Sequence, residues 1–440
     1  MLPTYWTNWA KTQGCFTVVR KPCTTDELVR VVRRTLERGP LRVAGASASW
    51  SPLVPTEGTI IDVSRLNRVL NFQPAPSNRV TVEPGVTIEA LTAYLAKRGY
   101  SLECPTLFPK PTIGGAIAAG CHGTGTFWPP FSDSVLGLEL IDGTGQIRTI
   151  DETDPVALSA ARVSLGLLGV IKSVTLRIRP DFALDVYVRQ LDVDDTMANL
   201  SDLLASHEYV FFMGFPFEKN LWARLANRSS APYDPYTLAE RVTEQLDAAF
   251  EVIGGKYAMP YLARNLPEYT PLMLSVANAI SVQTDHDVER ASREMHFQKG
   301  YPRAVTMSFS IPLPEASTAW TETDRIVRWF RARGMYPVNM AYVARFVGAS
   351  TSFLSPAYGR DSCFFEVTTA VETPDQDEFF IEAWKTLSAI PGARPHWAKR
   401  WEEPFDPSAL YPKFADFKTL QASLDPDRRF LNGWLNDLGF

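Results

Sequence analysis

The chain has 440 residues, 45% hydrophobic and 21% charged, and its 44 Lys and Arg against 49 Asp and Glu leave a net charge of -5. That is a globular composition of two- or three-domain length, which excludes a disordered chain, and the acidic balance excludes a non-specific grip on nucleic acid. The five cysteines, Cys15, Cys23, Cys104, Cys121 and Cys363, are too few and scattered for a disulfide framework, and no ligand spacing suggests a metal site.

No basic stretch followed by an apolar run opens the chain, and no segment reaches the ~20 apolar residues of a membrane span, so a cytoplasmic location is expected. In chain order, Leu28, Val31, Val32 and Leu36 predict a helix with Thr25 as N-cap and Gly39 as stop. LRVAGAS, GTIIDVS, NRVTVEPG and SVLGLELIDGTG read as strands closing on turns, and a second helix is expected between Thr87 and Gly99. Alternating strands and helices make this first part an α/β module.

After Pro180 the texture changes. LDVYVRQLDVDD alternates as a strand, FFMGFPFEKNLWARLANR brings turns and aromatics, and 236–300 reads as largely helical through HDVERASREMHF. VTMSFSIPLP, NMAYVARFVG and SCFFEVTTAV then predict strands, with a helix in STAWTETDRIVRWFRARG. This second module is α+β, without a repeat of fixed period. A Trp- and Pro-rich tail follows from Arg394.

The strongest local signal is the run from Pro111 to Thr126, PTIGGAIAAGCHGTGT, with five glycines between Gly114 and Gly125. Glycines let backbone N–H groups approach a ligand closely, and concave N–H arrays hold pyrophosphate; Thr112, Thr124 and Thr126 add hydroxyl donors. A tight turn packed on a strand is the competing reading. A second small-residue loop, Ala44-Gly45-Ala46-Ser47-Ala48-Ser49, follows the first α/β strand, and the two loops together point to a dinucleotide. Within the run, His122 reads as a base, a flavin anchor, a phosphate donor or a loop-stabilising side chain. Cys121 beside it reads as a small packed residue. No Gly-x-Ser-x-Gly elbow is present.

The order of these motifs resembles the aldonolactone oxidase branch of the vanillyl-alcohol oxidase superfamily: gulonolactone, arabinonolactone and alditol oxidases, more distantly flavin-linked cholesterol oxidases. It runs from Asn8-Trp9-Ala10-Lys11 through VAGASASWSPL, VTVEPGVTIEAL, TIGGAIAAGCHGTGT and SLGLLGVIKSVTLRI to Arg394-Pro395-His396-Trp397-Ala398-Lys399 and SLDPDRRFLNGWL. The resemblance implies an α+β, two-domain vanillyl-alcohol oxidase-type flavoprotein. Residues 1–180 would form the FAD-binding domain and 181–393 a substrate (cap) domain, an antiparallel sheet flanked by helices. The segment 394–440 would return to the FAD-binding domain. Matched FAD positions are Ala44, Gly45, Ala46, Ser47, Ala48, Ser49, Thr112, Gly114, Gly115, Gly120, Cys121, His122, Gly123 and Thr124. Val170 and Ile171 match an adenine-side segment, and Lys399 a lysine at the flavin edge, where a cation stabilises the reduced ring.

Three departures stand out. Many relatives carry a flavin-linking histidine where this chain has Ala48, so noncovalent FAD is expected; a cysteinyl link is the alternative. The family's Glu-x-Arg pair is replaced by Val343-Ala344-Arg345, which strips Arg345 of its carboxylate, and an unpaired buried guanidinium is costly. Glu366 is one replacement; a substrate carboxylate is the other. Thirdly, Thr106 takes a position that influences oxygen access in the family.

The expected activity is that of an FAD-dependent oxidase passing a hydride from a substrate C–H to flavin N5, with O2 as acceptor and hydrogen peroxide as product. The catalytic candidates are Arg345, Glu366, Lys399 and Tyr342, with Glu366 or Tyr342 as base. An apolar pocket is expected around Val343, Phe309, Phe346 and Phe364. The alternatives are oxidative decarboxylation, with Arg345 on a substrate carboxylate, and a flavin-binding protein without turnover. The substrate is a small molecule, and a homo-oligomer is compatible.

Overall fold

A computed structural model describes residues 2–232, 258–280, 285–294 and 303–440. In the N-terminal part, β1 (Thr4–Thr7), β2 (Gly14–Arg20), β3 (Leu41–Ala44) and β4 (Thr59–Asp62) form one sheet in the order β1-β2-β4-β3. β2, β4 and β3 run parallel, and the connecting helix Thr25–Leu36 makes the crossover that parallel pairing requires. Its N-cap is Thr24, one residue before the expected Thr25: the Thr24 side chain accepts from the Glu27 amide. Helix Ile88–Ala96 is capped by Thr87 as expected.

The neighbouring antiparallel sheet has the order β5-β6-β10-β8-β9, from β5 (Val69–Gln73), β6 (Arg79–Val82), β8 (Val135–Ile141), β9 (Ile147–Asp151) and β10 (Val170–Arg177). β7 (Tyr100–Ser101) pairs with β11 (Arg179–Pro180) outside it.

A larger antiparallel sheet holds eight strands in the order β15-β12-β14-β13-β17-β18-β16-β19. They are β12 (Ala183–Asp192), β13 (Tyr209–Gly214), β14 (Asn220–Ser229), β15 (Asp285–Arg290), β16 (Ala304–Pro312), β17 (Tyr342–Val347), β18 (Ser362–Ala370) and β19 (Arg394–Pro395). The segment read as turns and aromatics is thus the hairpin β13–β14. HDVERASREMHF, expected to be helical, overlaps the edge strand β15: ten-residue β12 leaves a row of backbone groups that 285–290 pairs, and among the described residues of the segment Ala291–Glu294 is helical. Helices Met259–Asn265 and Thr270–Ile280 agree with expectation, while the helices expected over 236–257 lie outside the described residues.

One side of the large sheet, its back, is covered by helices Ala316–Arg331 and Gln376–Ser388, whose Trp320, Phe330, Phe379 and Trp384 pack with Phe212, Met307 and Phe365. The C-terminal tail crosses back: Trp397, Tyr411, Leu435 and Phe440 join the N-terminal core cluster that contains Val82, Ile117 and Leu138. No described helix is long and apolar enough to cross a membrane.

Candidate active site

Successive strand residues point to opposite faces, and this alternation sorts the large sheet. On β16, Val305, Met307, Phe309 and Ile311 belong to the back core, so Thr306, Ser308 and Ser310 form a hydroxyl row on the front. On β17, Tyr342, Ala344 and Phe346 go back, leaving Val343, Arg345 and Val347 in front. On β18, Phe364 and Glu366 share that front face, Glu366 opposite both Val343 and Ser308, and Phe364 opposite Arg345.

The glycine-rich segment lies against this front. Helix Ile113–Ala118 starts at Thr112, whose side chain accepts from the Gly115 amide. Beyond it the chain is tied to the large sheet: Gly125 N donates to Phe346 O at 2.7 Å, Thr126 N to Glu208 O at 2.8 Å and Thr126 Oγ1 to His207 O at 2.7 Å. Thr124 Oγ1 donates to Val210 O. The Thr124 and Thr126 hydroxyls, expected to face pyrophosphate, are therefore spent on tying the loop to Val210 of β13 and to His207 just before it. Gly123 fits tightly, since a Cβ there would sit 2.2 Å from Pro105 O.

Between loop and sheet lies a buried charged cluster. Arg345, 8% exposed, forms an ion pair with Glu366, 6% exposed, and Lys399 Nζ contacts the second Glu366 oxygen at 2.8 Å. One carboxylate thus bridges a guanidinium and an ammonium. Burial, followed by the Arg345 cation, pulls the Lys399 ammonium down to about 7. Its Nζ also lies 4.7 Å from the centre of the Trp50 ring. His122 Nε2 is 3.3 Å from Arg345 Nη2, and its ring stacks on Phe364 with centroids 3.5 Å apart. Burial and the cations Arg345 and Lys399 hold both His122 and His396 well below the usual histidine range.

The structure brings together Arg345, Glu366, Lys399, His122, Cys121 and Phe364, but not Tyr342. Tyr342 lies on the back face with Trp320 and Phe365 against its ring, and burial pushes its hydroxyl well above the usual tyrosine range. A one-residue step along a strand reverses the face, so Tyr342 is removed from the base candidates. Phe309 and Phe346 face the same back core and line no pocket beside Arg345, so of the expected apolar residues only Val343 and Phe364 are on the front. Arg345 is not left to a substrate anion, because Glu366 supplies its carboxylate. Ser308, Trp50 and His396 were missed as site residues. For Ser308 the signal was there: a hydroxyl at every second position of VTMSFSIP.

The first small-residue loop fits a phosphate-bearing cofactor. Among the described residues, the backbone amides of Ala46, Ser47, Ala48 and Ser49 donate to no protein group, and Ser47 has φ 54. Successive unpartnered amides around a left-handed residue form an anion-binding concavity. A Cβ at Gly45 would sit 2.0 Å from Thr112 Oγ1, so the two loops meet there. Gly114 N, by contrast, is spent on Pro84 O at 2.9 Å, and Gly120 takes φ 67 at the end of the short helix. Val170 and Ile171 lie side by side on β10 in the core, Val170 with Leu28 and Phe430, Ile171 in the cluster that includes Ala44. Burial raises the Cys121 thiol to about 11 and the Cys104 thiol to about 12.

The family described as D-arabinono-1,4-lactone oxidase matches residues 174–438, and an FAD binding domain matches residues 16–151. The L-gulono-1,4-lactone dehydrogenase of Mycobacterium tuberculosis is 30% identical over 433 residues, covering 98% of this chain and 97% of the relative. The L-gulonolactone oxidase of Mus musculus is 27% identical, covering 97% of this chain and 96% of its own. Among solved structures, cholesterol oxidase from B. sterolicum superposes with a TM-score of 0.79 at 19% identity, covering 99% of this chain and 97% of that one. The chain belongs to the D-arabinono-1,4-lactone oxidase family, FAD-dependent oxidoreductases of the two-domain vanillyl-alcohol oxidase fold.

Proposed function

We propose that the protein oxidises a hydroxyl of a sugar-derived lactone or a similar neutral, polyhydroxylated molecule, with O2 as the final acceptor. The carrying observation is the Arg345–Glu366–Lys399 row on the front of the large sheet, flanked by the Ser308 hydroxyl. A carboxylate held between two cations is oriented to accept a hydrogen bond from a substrate hydroxyl, and the guanidinium places positive charge beside lactone oxygens. Lys399, with its ammonium pulled down to about 7, can take up or release a proton near neutral pH. FAD, held by the Ala44–Ser49 loop and the Thr112–Gly123 segment, would supply the two-electron acceptor. Ala48 and the protonated Cys104 and Cys121 thiols support noncovalent attachment. The assignment of 1–180 and 394–440 to the FAD domain and of 181–393 to the cap belongs to the same reading; the strands before β12 and the cap strands β12 to β18 support it, whereas β19 (Arg394–Pro395) pairs with β16 in the large sheet, so the tail joins the FAD side only beyond that strand.

Decarboxylation of an acid was motivated by an Arg345 without an internal anion, and Glu366 removes that motive. The test is anaerobic bleaching of the flavin by L-gulono-1,4-lactone and D-arabinono-1,4-lactone, each beside its ring-opened acid. Bleaching by a lactone and not by its acid is expected, followed by oxygen uptake on admitting air. Faster bleaching by the acids would overturn the reading.

A further inference from the structure

We propose that His122 is the positioning residue for Arg345: its imidazole, fixed as the Nδ1–H tautomer, and its own carbonyl together aim the guanidinium at the substrate. The consequence for turnover rests on the function proposed above.

Hydrogen-bond valence sets the tautomer. His122 Nδ1 lies 3.0 Å from Gly123 O, a carbonyl that can only accept, so Nδ1 carries the proton. Nε2 faces Arg345 Nη2 at 3.3 Å, and a guanidinium can only donate, so Nε2 is the bare acceptor. Arg345 Nη1 also donates to His122 O at 3.2 Å. The fork is thus held by His122 at both terminal nitrogens, while Nη2 also reaches Glu366. A protonated ring would lose the Nε2 acceptor and set two cations against each other; burial and the neighbouring Arg345 keep it neutral.

The ring is itself immobilised. Phe364, the cross-strand partner of Arg345, stacks on it with an interplanar angle of 17°. The loop carrying His122 bridges onto β17 at Gly125 and Val347, two residues beyond Arg345. With both ring nitrogens occupied, His122 has none left for the cofactor, which moves it from the expected cofactor-binding set to the substrate side. A structural role alone would not call for an acceptor: a phenyl ring would stack on Phe364 equally well.

Two measurements on the FAD-loaded protein test this. Histidine-selective 15N NMR should show a neutral Nδ1–H ring, absent from His122→Phe, whose Nε2 resonance shifts in Arg345→Met. In steady-state turnover of L-gulono-1,4-lactone, His122→Phe should lower kcat/KM about 10- to 100-fold, the range of a hydrogen bond to a charged group, and His122→Gln should recover most of the loss. In an Arg345→Met background, His122→Phe should cost less than about 2-fold more, since residues acting through one contact are non-additive. FAD content and melting temperature establish that each variant is folded and loaded. An Nε2–H or protonated ring, an Nε2 signal indifferent to Arg345→Met, or additive costs in the double variant would each overturn the proposal. If the lactone leaves the flavin oxidised, the substrate reading fails, while the tautomer and its response to Arg345→Met still decide the positioning role.

Discussion

Val343 and Glu366 are direct cross-strand partners on β17 and β18, so the carboxylate that neutralises Arg345 reaches it from the neighbouring strand, along the diagonal. Diagonal neighbours on one sheet face lie within reach of long side chains. A carboxylate two residues before an arginine on its own strand shares that face as well, so positions 343 and 366 are alternative seats for one acid.

Exchanging the seats tests this. Glu366→Val leaves two buried cations without their anion and should cost about 3–5 kcal/mol of unfolding free energy, as breaking a buried pair does. Adding Val343→Glu should recover a large part of that loss and some turnover. Denaturant unfolding of the FAD-loaded proteins measures it. A double variant no more stable than Glu366→Val would refute the exchange.

Lys399 gives a pH signature. Its folded value of about 7 lies below the ordinary 10.5, so between these pH values the unfolded chain binds more protons and stability rises with pH. The penalty for the charged side chain is fully present below about pH 7 and vanishes as pH approaches 10.5. The unfolding free energy of wild type minus that of Lys399→Met should therefore climb across this window. A flat difference would place the ammonium in an ordinary environment.

Tyr342 provides the opposite control. Among the described residues its hydroxyl has no hydrogen-bond partner, and it sits on the far face of the sheet from Arg345. Tyr342→Phe removes an unsatisfied buried group and should be neutral or stabilising by up to about 1 kcal/mol, with kcat unchanged. A large fall in kcat would return Tyr342 to the reaction.

The contact between the two small-residue loops predicts a cofactor phenotype. Gly45→Ala drives a methyl into Thr112 Oγ1 and should destabilise by roughly 1–3 kcal/mol, as overpacking does, with less FAD retained after gel filtration. Thr112→Ala in the same chain should restore part of the retention by removing the clashing oxygen. The ratio of flavin to protein absorbance reports both.

Much of this site was legible in the residues. Small-residue loops announce a phosphate-bearing cofactor because only they let the backbone approach one, and a lone Arg345 after Val343 announces a missing anion because a buried guanidinium needs one. Period-two alternation carried the signal that separates Tyr342 from Arg345 and marks Ser308 among the alternating hydroxyls of β16, although Tyr342 was expected as a base and Ser308 was missed. Strand pairing was not legible: β15 is a strand because β12 offers an unpaired edge, a non-local fact that outweighs the helical pattern read over 286–297. Nor could the linear chain show that Glu366 lies opposite Val343, that Lys399 returns from the tail to the second Glu366 oxygen, or that the two ring nitrogens of His122 meet Gly123 O and Arg345. Local composition determines which groups the chain can offer; register and the crossing of distant segments decide which charges meet in a buried site, where each must find its partner.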